Sequence, residues 1–316
     1  MYKKVVVLGG GTGMSYLLRG LKDFPIDITA IIAVSDDGKS TGKLRKEFRQ
    51  PAVGDIRKVI TNLSDTDDYI KKLMEYRFNT SSDLNGHAMG NLLLTGLMNM
   101  TGSLTKSIEE LSTLLNVRHK ILPLSEDSGL TLVAKTKDDK LIVGEENITN
   151  AKKPIVDLFY QEEPVISDEV INAIVDADLI ILSMGSLYTS ILPNIISKQI
   201  RQSLNHAKAP IMYMCNAVTQ PGETDEFSVA DHVELINDYL DERTIDVVIA
   251  SNTHIDDETT RKYATEEQKD LVIIDYPRMK TLDTELIEAD LLEIENNVIR
   301  HNSMKVSSLI MNYLMR

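Results

Sequence analysis

The sequence predicts an α/β protein with a Rossmann-like, three-layer α/β/α fold built around a mainly parallel sheet. Short apolar runs recur along the chain, most are followed by turn residues and a helical pattern, and a glycine-rich turn follows the first run. Continuous apolarity, unlike alternation, is typical of strands buried on both faces of a parallel sheet. Because no low-complexity linker interrupts the 316 residues, we expect residues 1–316 to form a single domain.

Six apolar runs are the predicted strands. In chain order they are Val5–Leu8, Ile28–Val34, Leu179–Leu182, Ile211–Met214, Val247–Ala250 and Leu271–Ile274. A helix is expected after the first strand, because leucines recur at helical spacing over Leu17–Leu21. Another helix is expected to start near Pro193, and the segment from Val306 to Leu314 is expected to close the chain as a helix.

The middle of the chain follows a different pattern. Residues 55–116 predict several helices in succession, which we interpret as a helical insertion into the α/β fold. Apolar residues surround the helix near Leu92–Met98 on almost every side, so this helix is expected to be buried in the core or at an interface. Residues 119–165 change to short strands with acidic turns and predict a small antiparallel excursion.

Composition excludes several classes of protein. With 34 Lys+Arg against 48 Asp+Glu, the net charge of −14 argues against a nucleic-acid or anionic-membrane surface, because the summed field repels phosphates. A single anion site stays compatible with this charge, since backbone N–H groups act locally. Cys215 is the one cysteine, so no intramolecular disulfide is expected. The absence of a long apolar run predicts no membrane span, and we expect a cytoplasmic protein.

The first chemical signal is the turn formed by Gly9, Gly10, Gly11, Thr12 and Gly13. It follows a buried strand and opens a helix, which is where doubly wound folds hold a nucleotide phosphate. The G-x-G-x-x-G dinucleotide fingerprint fails, because its third glycine position holds a methionine. The match therefore lies in architecture, and a tight turn without a ligand is the alternative interpretation.

The loop Ser35–Gly42 follows the second strand and holds two adjacent carboxylates, Asp36 and Asp37, then Lys39 and Ser40. It contains Gly-Lys-Ser, but the first glycine of a P-loop would fall inside the strand. The carboxylates suit two roles: they can accept hydrogen bonds from sugar hydroxyls, or they can hold Mg²⁺. A polar loop that caps the next helix is the alternative.

Two further segments are candidates. Gly86–Asn91 places His87 between glycines and Asn91 at the start of a helix, so either side chain could face a ligand. Ser183–Ser190 follows another buried strand and offers backbone and hydroxyl donors. The candidate ligand contacts of that second loop are Gly185, Ser186, Tyr188 and Thr189. Two donor-rich loops after strands of one parallel sheet predict a single crevice at the carboxyl ends of the strands.

A fifth segment, Ala217–Asp225, contains a Pro-Gly turn and precedes a helix that carries Asp231 and His232. Acid–base chemistry there is the weaker interpretation, and a capped helix with a surface histidine is the stronger one. The six histidines do not cluster in sequence, so no zinc site is expected.

Taken in order, these segments resemble the gluconeogenesis factor family of bacteria (YvcK-type), within the CofD-like group that includes 2-phospho-lactate transferase. The resemblance runs over Gly9–Gly13, Ser35–Gly42, Gly54–Arg57, Gly86–Asn91, Gly185–Pro193, Thr219–Asp225 and the ending Arg300–Val306. It implies a single Rossmann-like cytoplasmic domain linked to gluconeogenic growth, cell shape and cell-wall synthesis. It also implies binding of UDP-sugars without an established catalytic activity, whereas the transferase branch uses Mg²⁺.

This chain departs from the family pattern at two places. The pattern tends to have glycine where this chain has Lys39, and Gly-Pro where it has Ser183-Met184. These departures concern the identity of the ligand, because the glycines and hydroxyls that would contact a ligand are retained.

Three hypotheses follow from these residues. The leading one is a regulator that binds a UDP-sugar or dinucleotide through Gly10, Gly11, Thr12, Gly13, Asp36, Asp37, Lys39, Ser40, Asn91, Gly185, Ser186, Tyr188 and Thr189. The alternative is a transferase in which Asp36 and Asp37 hold Mg²⁺ across a diphosphate. A scaffold that recruits cell-wall or metabolic proteins is the third. The sequence leaves open the oligomeric state, including a homo-oligomer.

Overall fold

A computed structural model of the chain describes residues 2–295 and 298–316. The strands are β1 Lys3–Gly9, β2 Ile26–Ile32, β3 Lys120–Pro123, β4 Leu132–Thr136, β5 Leu141–Val143, β6 Ile155–Tyr160, β7 Leu179–Leu182, β8 Ile211–Met214, β9 Val247–Ser251, β10 Glu285–Ala289, β11 Leu292–Glu295 and β12 Val298–His301. The α-helices are α1 Gly11–Leu21, α2 Lys39–Phe48, α3 Gly54–Leu63, α4 Asp68–Glu75, α5 Met89–Thr101, α6 Leu104–Leu114, α7 Glu145–Ala151, α8 Asp168–Val175, α9 Lys198–His206, α10 Val229–Tyr239, α11 Asp257–Lys262, α12 Tyr276–Met279 and α13 Ser303–Leu314. Shorter helical turns cover Leu187–Ile191, Leu192–Asn194 and Tyr263–Glu267.

The central sheet has seven strands in the order β10-β9-β8-β7-β1-β2-β3, and every neighbouring pair is parallel. From β1 the chain builds outward through β2 and β3, then returns and builds the other side from β7 to β10. The strand order therefore reverses between β1 and β7. In open α/β sheets this switch point is where a crevice forms at the carboxyl ends of the strands. The predicted Rossmann-like fold class is confirmed.

Burial explains why the sequence signal for the central strands is strong. Every residue of β7 and β8 is buried, and both strands begin and end at the predicted residues. The parallel crossovers place helices on both faces of the sheet, so both sides of these strands need apolar side chains. Helices α1, α3 and α13 pack together on one of these faces.

One predicted strand is wrong and one was missed. Residues 271–274 form no strand: Leu271 makes an isolated antiparallel bridge to Val218, and Ile273 is exposed. The seventh strand of the sheet is β10, which pairs with β9 at the edge. An edge strand has a neighbour on one side only, and the half-exposed Glu-Leu-Ile-Glu-Ala sequence of β10 lacks the apolar run of a buried strand.

The helical insertion is confirmed, since α3 to α6 follow one another between β2 and β3. The burial predicted for the fifth helix is wrong in part, because Leu93 is 40% exposed and Met100 is 82% exposed. The antiparallel excursion begins later than predicted. Residues 120–123 form β3, which pairs in parallel with β2, and the antiparallel sheet β5-β4-β6 spans Leu132–Tyr160.

Strands β11 and β12 form a hairpin before the C-terminal helix α13, which matches its prediction. In the described part of the chain, no helix has both the length and the apolar character needed to cross a membrane.

Candidate functional site

The two glycine-containing loops meet at the switch point of the sheet. The backbone N–H of Ser183 donates to Leu8 O at 3.0 Å, and Asn194 Nδ2 donates to Gly9 O at 3.0 Å. A Cβ at Gly13 would lie 2.8 Å from the carbonyl carbon of Met184. Glycine at this position therefore serves the packing of one loop against the other, and the two loops line one cavity together through Gly13 and Gly185.

The first cavity has a volume of about 400 Å³ and lies beyond the end of β2. We call it the cation-lined cavity. Its lining residues are Asp36, Gly38, Lys39, Ser40, Thr41, Gly54, Arg57, Lys58, Arg77, Asn91, Glu145, Glu146, Thr149 and Asn150. The first turns of α2, α3 and α5 all contribute to this lining. Three helix N-termini thus bring the positive ends of their dipoles to one cavity. At α5 the backbone N–H groups of Met89 and Asn91 already donate within the chain, to Tyr76 O and Ala88 O.

Four cationic side chains reinforce that field. Arg57 is buried, its Nε donates to Asn91 Oδ1 at 3.3 Å, and burial lowers the pKa of its guanidinium. Lys58 pairs with Asp55 at 2.9 Å, and Arg77 donates to Gly86 O at 2.9 Å. Lys39 is exposed, and its φ of 44° lies in the left-handed region that favours glycine. The lining therefore holds four cationic side chains beside three carboxylates, those of Asp36, Glu145 and Glu146.

A buried polar network supports the wall of this cavity. Ser40 Oγ lies 3.0 Å from His87 Nδ1, and Asn91 Nδ2 donates to Ser40 Oγ at 3.2 Å. Ser40, His87 and Asn91 are all buried. Burial, with Lys43 as the next cause, lowers the pKa of His87 and favours its neutral form. The predicted candidates Ser40 and Asn91 are thus brought together with Arg57 and His87.

Carboxylates line the opposite side. Burial and the charge of Asp55 raise the pKa of Asp36, although the backbone N–H of Gly38 donates to Asp36 Oδ1 at 2.9 Å. Burial also raises the pKa of Glu145 well above its usual value, and the charges of Asp36 and Asp55 act in the same direction. These groups repel one another, so a bound cation or a proton would stabilise the cluster.

Asp37 has a different role from its neighbour. Its Oδ1 accepts a hydrogen bond from the backbone N–H of Glu146 at 2.8 Å, which ties the antiparallel excursion to the loop before α2. Asp37 thus contacts the excursion whereas Asp36 lines the cavity, and the joint binding of Mg²⁺ by the two carboxylates stays a prediction. Among the residues described, no three His, Cys, Asp or Glu side chains are arranged to hold a metal ion. Mg²⁺ commonly uses one or two carboxylates together with ligand phosphates, so Asp36 suits such an ion, whereas Asp55 is already paired with Lys58.

The second cavity has a volume of about 210 Å³ and lies beyond β7 and β8. The backbone N–H of Gly185 donates to Asn216 Oδ1 at 3.0 Å, and Asn216 Nδ2 donates to Gly185 O at 2.7 Å. Ser186 Oγ donates to Glu223 Oε2 at 2.5 Å. His301 lines this cavity with its Nε2 unpaired among the described residues, and burial lowers its pKa to about 4.

The remaining sequence candidates line neither cavity: they are Gly10, Gly11, Thr12, Tyr188 and Thr189. A Cβ at Gly10 would lie 2.9 Å from Asp55 Oδ2, so the first loop faces that carboxylate, while Thr12 is exposed. Tyr188 is 2% exposed and its hydroxyl donates to Ile155 O, so its ring has almost no surface with which to contact a ligand. Thr189 is buried and its hydroxyl donates to Ser186 Oγ at 2.7 Å. Gly11, with φ of 66°, follows Gly10 at the start of α1.

A larger groove of about 720 Å³ lies at the other end of the sheet, where β1, β2 and β3 begin. The ion pair between Lys120 and Glu169 involves two of its lining residues. The amino ends of parallel strands do not carry the ligand crevice of this fold class, so we place the site at the carboxyl ends.

Several site residues were missed by sequence reasoning. Arg57 and Lys58 follow Gly54 and Asp55 at the start of α3. A pair of basic residues near a helix start was a signal from which these two site residues could have been predicted. Asn216 lies two residues after β8, so its position at the carboxyl end of a strand was a second available signal. Glu145 and Arg77 come from the excursion and the insertion, and no local pattern could have placed them here.

The fold and the site define a Rossmann-like α/β protein with cavities at the carboxyl ends of its parallel strands. The family model for 2-phospho-L-lactate transferase CofD matches residues 5–292. A gluconeogenesis factor of Bacillus subtilis is 42% identical over 98% of both chains. A putative gluconeogenesis factor of Thermotoga maritima is 39% identical over 97% of this chain and 98% of its own.

A crystal structure of a Bacillus halodurans protein has a TM-score of 0.95 and 40% identity, covering 98% of this chain and all of that one. The chain therefore belongs to the CofD-like family, among the gluconeogenesis factors.

Proposed function

We propose that this protein is a regulator that binds a small phosphorylated nucleotide, of the UDP-sugar class, in the cation-lined cavity. The observation that carries the proposal is the meeting of three helix N-termini with Arg57, Lys58, Arg77 and Lys39 around one 400 Å³ cavity. Backbone N–H groups and guanidinium groups are the donors that bind diphosphates in proteins. Asp36 and Asn91 add an acceptor and an amide for sugar hydroxyls.

The relatives supply the physiological side of the proposal. Proteins named gluconeogenesis factor align with the whole chain, which supports a role in the control of carbon metabolism. The resemblance extends this role to cell shape and cell-wall synthesis. A regulator would use nucleotide-sugar binding to report the supply of precursors to its partners.

Isothermal titration calorimetry with UDP-sugars, NAD and GTP tests the binding. We expect a UDP-sugar to bind, and we expect Arg77→Gln and Lys39→Gln each to weaken binding by about tenfold, the loss of one charge-assisted contact. Lys208→Gln, at an exposed lysine after α9, is the matched control and should bind like the parent chain. The proposal would be overturned if none of the three ligands binds, or if both cavity variants bind the ligand with the affinity of the parent chain.

A second candidate function is supported by the crowded carboxylates. Asp36, with the charge of Asp55 acting on it, would hold Mg²⁺ together with ligand phosphates, and the transferase named by the family model moves a phosphorus-containing group. When bound, Mg²⁺ would neutralise charge on the transferred group. Turnover of a phosphoanhydride substrate that needs Mg²⁺ and is lost in Asp55→Asn would support this function. Ligand affinity and stability that do not respond to Mg²⁺ would count against it.

A further inference from the structure

The three-stranded sheet β5-β4-β6 has one face in the core and one face turned outward. Ala134 and Leu158 pair with each other on the inner face, where both belong to the core. The outer face carries Val143 and Phe159, because both pair directly with the same residue of β4. Leu141 shares this face with Val143, two positions away along the strand. Leu141 is 61% exposed and Val143 is 48% exposed, so the outer face offers apolar side chains at β5.

Strand β5 is also an open edge, because it is the last strand in the order β5-β4-β6. The backbone N–H of Gly144 donates to Leu132 O at 2.8 Å, which makes these two residues a hydrogen-bonded pair. Bonded and non-bonded pairs alternate along antiparallel strands, so Val143 and Leu141 point their backbone N–H groups away from β4. Val143 O already accepts from Asn147 Nδ2 at 2.8 Å. Two backbone donors at alternate positions therefore face the open edge, and an added strand uses such donors.

The sequence of β5 does not protect this edge in the usual way. Exposed edges are commonly blocked by charged residues, by proline or by bulges. The Leu-Ile-Val sequence of β5 is short, but it contains no charge and no proline, and its register with β4 is regular. The edge strand β10 of the central sheet, by contrast, carries Glu285 and Glu288. An apolar edge without such protection indicates a surface for an added strand.

Charge favours an acidic occupant for this edge. Residues 132–143 and 152–160, which form the sheet and its flanks, hold five lysines and three aspartates: Lys135, Lys137, Lys140, Lys152, Lys153, Asp138, Asp139 and Asp157. Ion pairs join Lys140 and Lys153 to Asp138, and Lys137 is exposed at the hairpin turn. On a chain of net charge −14, an acidic segment is repelled over most of the surface and attracted here.

We propose that the β5 edge docks an extended acidic segment of a partner protein, which adds to the sheet as a fourth strand. The backbone N–H groups of Leu141 and Val143 would donate to carbonyl groups of that segment. Alternate apolar side chains of the segment would contact Leu141 and Val143 on the outer face, and its carboxylates would face the lysines. This edge lies outside the cation-lined cavity, so the proposal does not depend on which ligand the cavity binds.

Fluorescence anisotropy tests the docking with a labelled peptide of about eight residues, a strand length, that alternates valine with glutamate. We expect saturable binding to the full chain, and binding at least about tenfold weaker for a peptide that alternates valine with lysine. No saturable binding of the glutamate peptide, or equal affinity for the two peptides, would overturn the proposal.

Two substitutions test whether the edge and its lysines bind the glutamate peptide. Leu141→Glu should weaken binding by about tenfold, because it removes an apolar contact and adds a like charge. The matched control is Leu114→Glu, at an exposed leucine that ends α6, and it should bind like the parent chain. Lys137→Glu should also weaken binding, whereas Lys208→Glu should not. Circular dichroism checks that each variant is folded, and equal effects within either pair would contradict the proposed edge.

Hydrogen exchange locates the bound peptide without any substitution. The amide hydrogens of Leu141 and Val143 should exchange severalfold more slowly in the complex, because each gains an acceptor. Protection confined to another part of the chain would refute the β5 edge. Protection of β5 that grows with protein concentration in the absence of peptide would show that a second copy occupies the edge, which would also overturn the proposal.

Discussion

Ser40 Oγ and His87 Nδ1 lie 3.0 Å apart and join the first turn of α2 to the segment before α5, across 47 positions of the chain. Ser40 lines the cation-lined cavity, and His87 lies behind it. With a neutral imidazole in the Nε2–H tautomer, the hydroxyl proton of Ser40 is held by His87 and is not offered to a ligand. The protonation of His87 thus controls a donor in the cavity.

We predict that nucleotide-sugar affinity rises as pH falls below about 6.5. Protonated His87 donates to Ser40 Oγ and releases the hydroxyl proton toward a phosphate, and it adds positive charge near Lys43 and Arg77, with Glu47 as the nearby anion. Calorimetry with a UDP-sugar between about pH 5.5 and 8 checks this, because its diphosphate does not titrate there. Asp36 and Glu145, whose pKa values are raised, gain protons in both chains as the pH falls, so the part of the pH dependence that His87→Gln removes measures His87. An unchanged profile in that variant would exclude His87.

Glu145→Gln should stabilise the fold by about 1 kcal/mol at neutral pH, a modest figure because this side chain is partly solvated. Burial and neighbouring carboxylates raise the pKa of Glu145, so its charged form is disfavoured in the folded state. The gain should be present at pH 7.5 and shrink as the pH falls and the carboxyl protonates. Urea unfolding at pH 7.5 and at acidic pH measures this gain in the free energy of unfolding. Glu146→Gln, at the exposed neighbouring carboxylate, is the control, and equal gains would contradict the prediction.

His301 should make the free energy of unfolding fall in acid. Burial lowers its pKa to about 4, so the folded state favours the neutral form. The associated stability is present above the unfolded-state pKa of about 6.5 and is lost as pH falls toward 4, by at most about 3 kcal/mol. The difference in unfolding free energy between the parent chain and His301→Asn should therefore shrink from pH 7.5 to pH 4.5. Asp36 and Glu223, whose pKa values are raised, change the stability in the opposite direction, but they are present in both chains and cancel in this difference. A difference that stays constant between the two pH values would refute the role of His301.

Gly13→Ala should destabilise the protein by about 2–4 kcal/mol, because the added methyl meets the backbone of Met184 and forces the two loops apart. Thermal unfolding measures the loss. Gly129→Ala is the matched control, since a Cβ there meets nothing within 4 Å. Near-parent stability in Gly13→Ala would show that the loops are not packed as described.

The fold was predictable because its signal is local. The strands β7 and β8 are buried on both faces, so their sequences are continuously apolar and their bounds could be derived directly. The edge strand β10 was missed, because a strand with one neighbour and partial exposure tolerates Glu285 and Glu288. The exposed side of α5 was also mispredicted, since apolar periodicity alone does not distinguish a core from an uncovered face.

By itself, the sequence determined the α/β class, the parallel strands, the glycine turn at Gly9–Gly13 and the donor-rich loop at Gly185–Thr189, because each depends on neighbouring residues and their periodicity. Only the tertiary structure decided that these loops pack against each other and line one cavity together. It also decided that Arg57, Arg77 and Glu145, from three separate segments, meet Asp36 at one cavity. The physical reason is that helix dipoles and charges act through space, over distances that sequence separation does not encode.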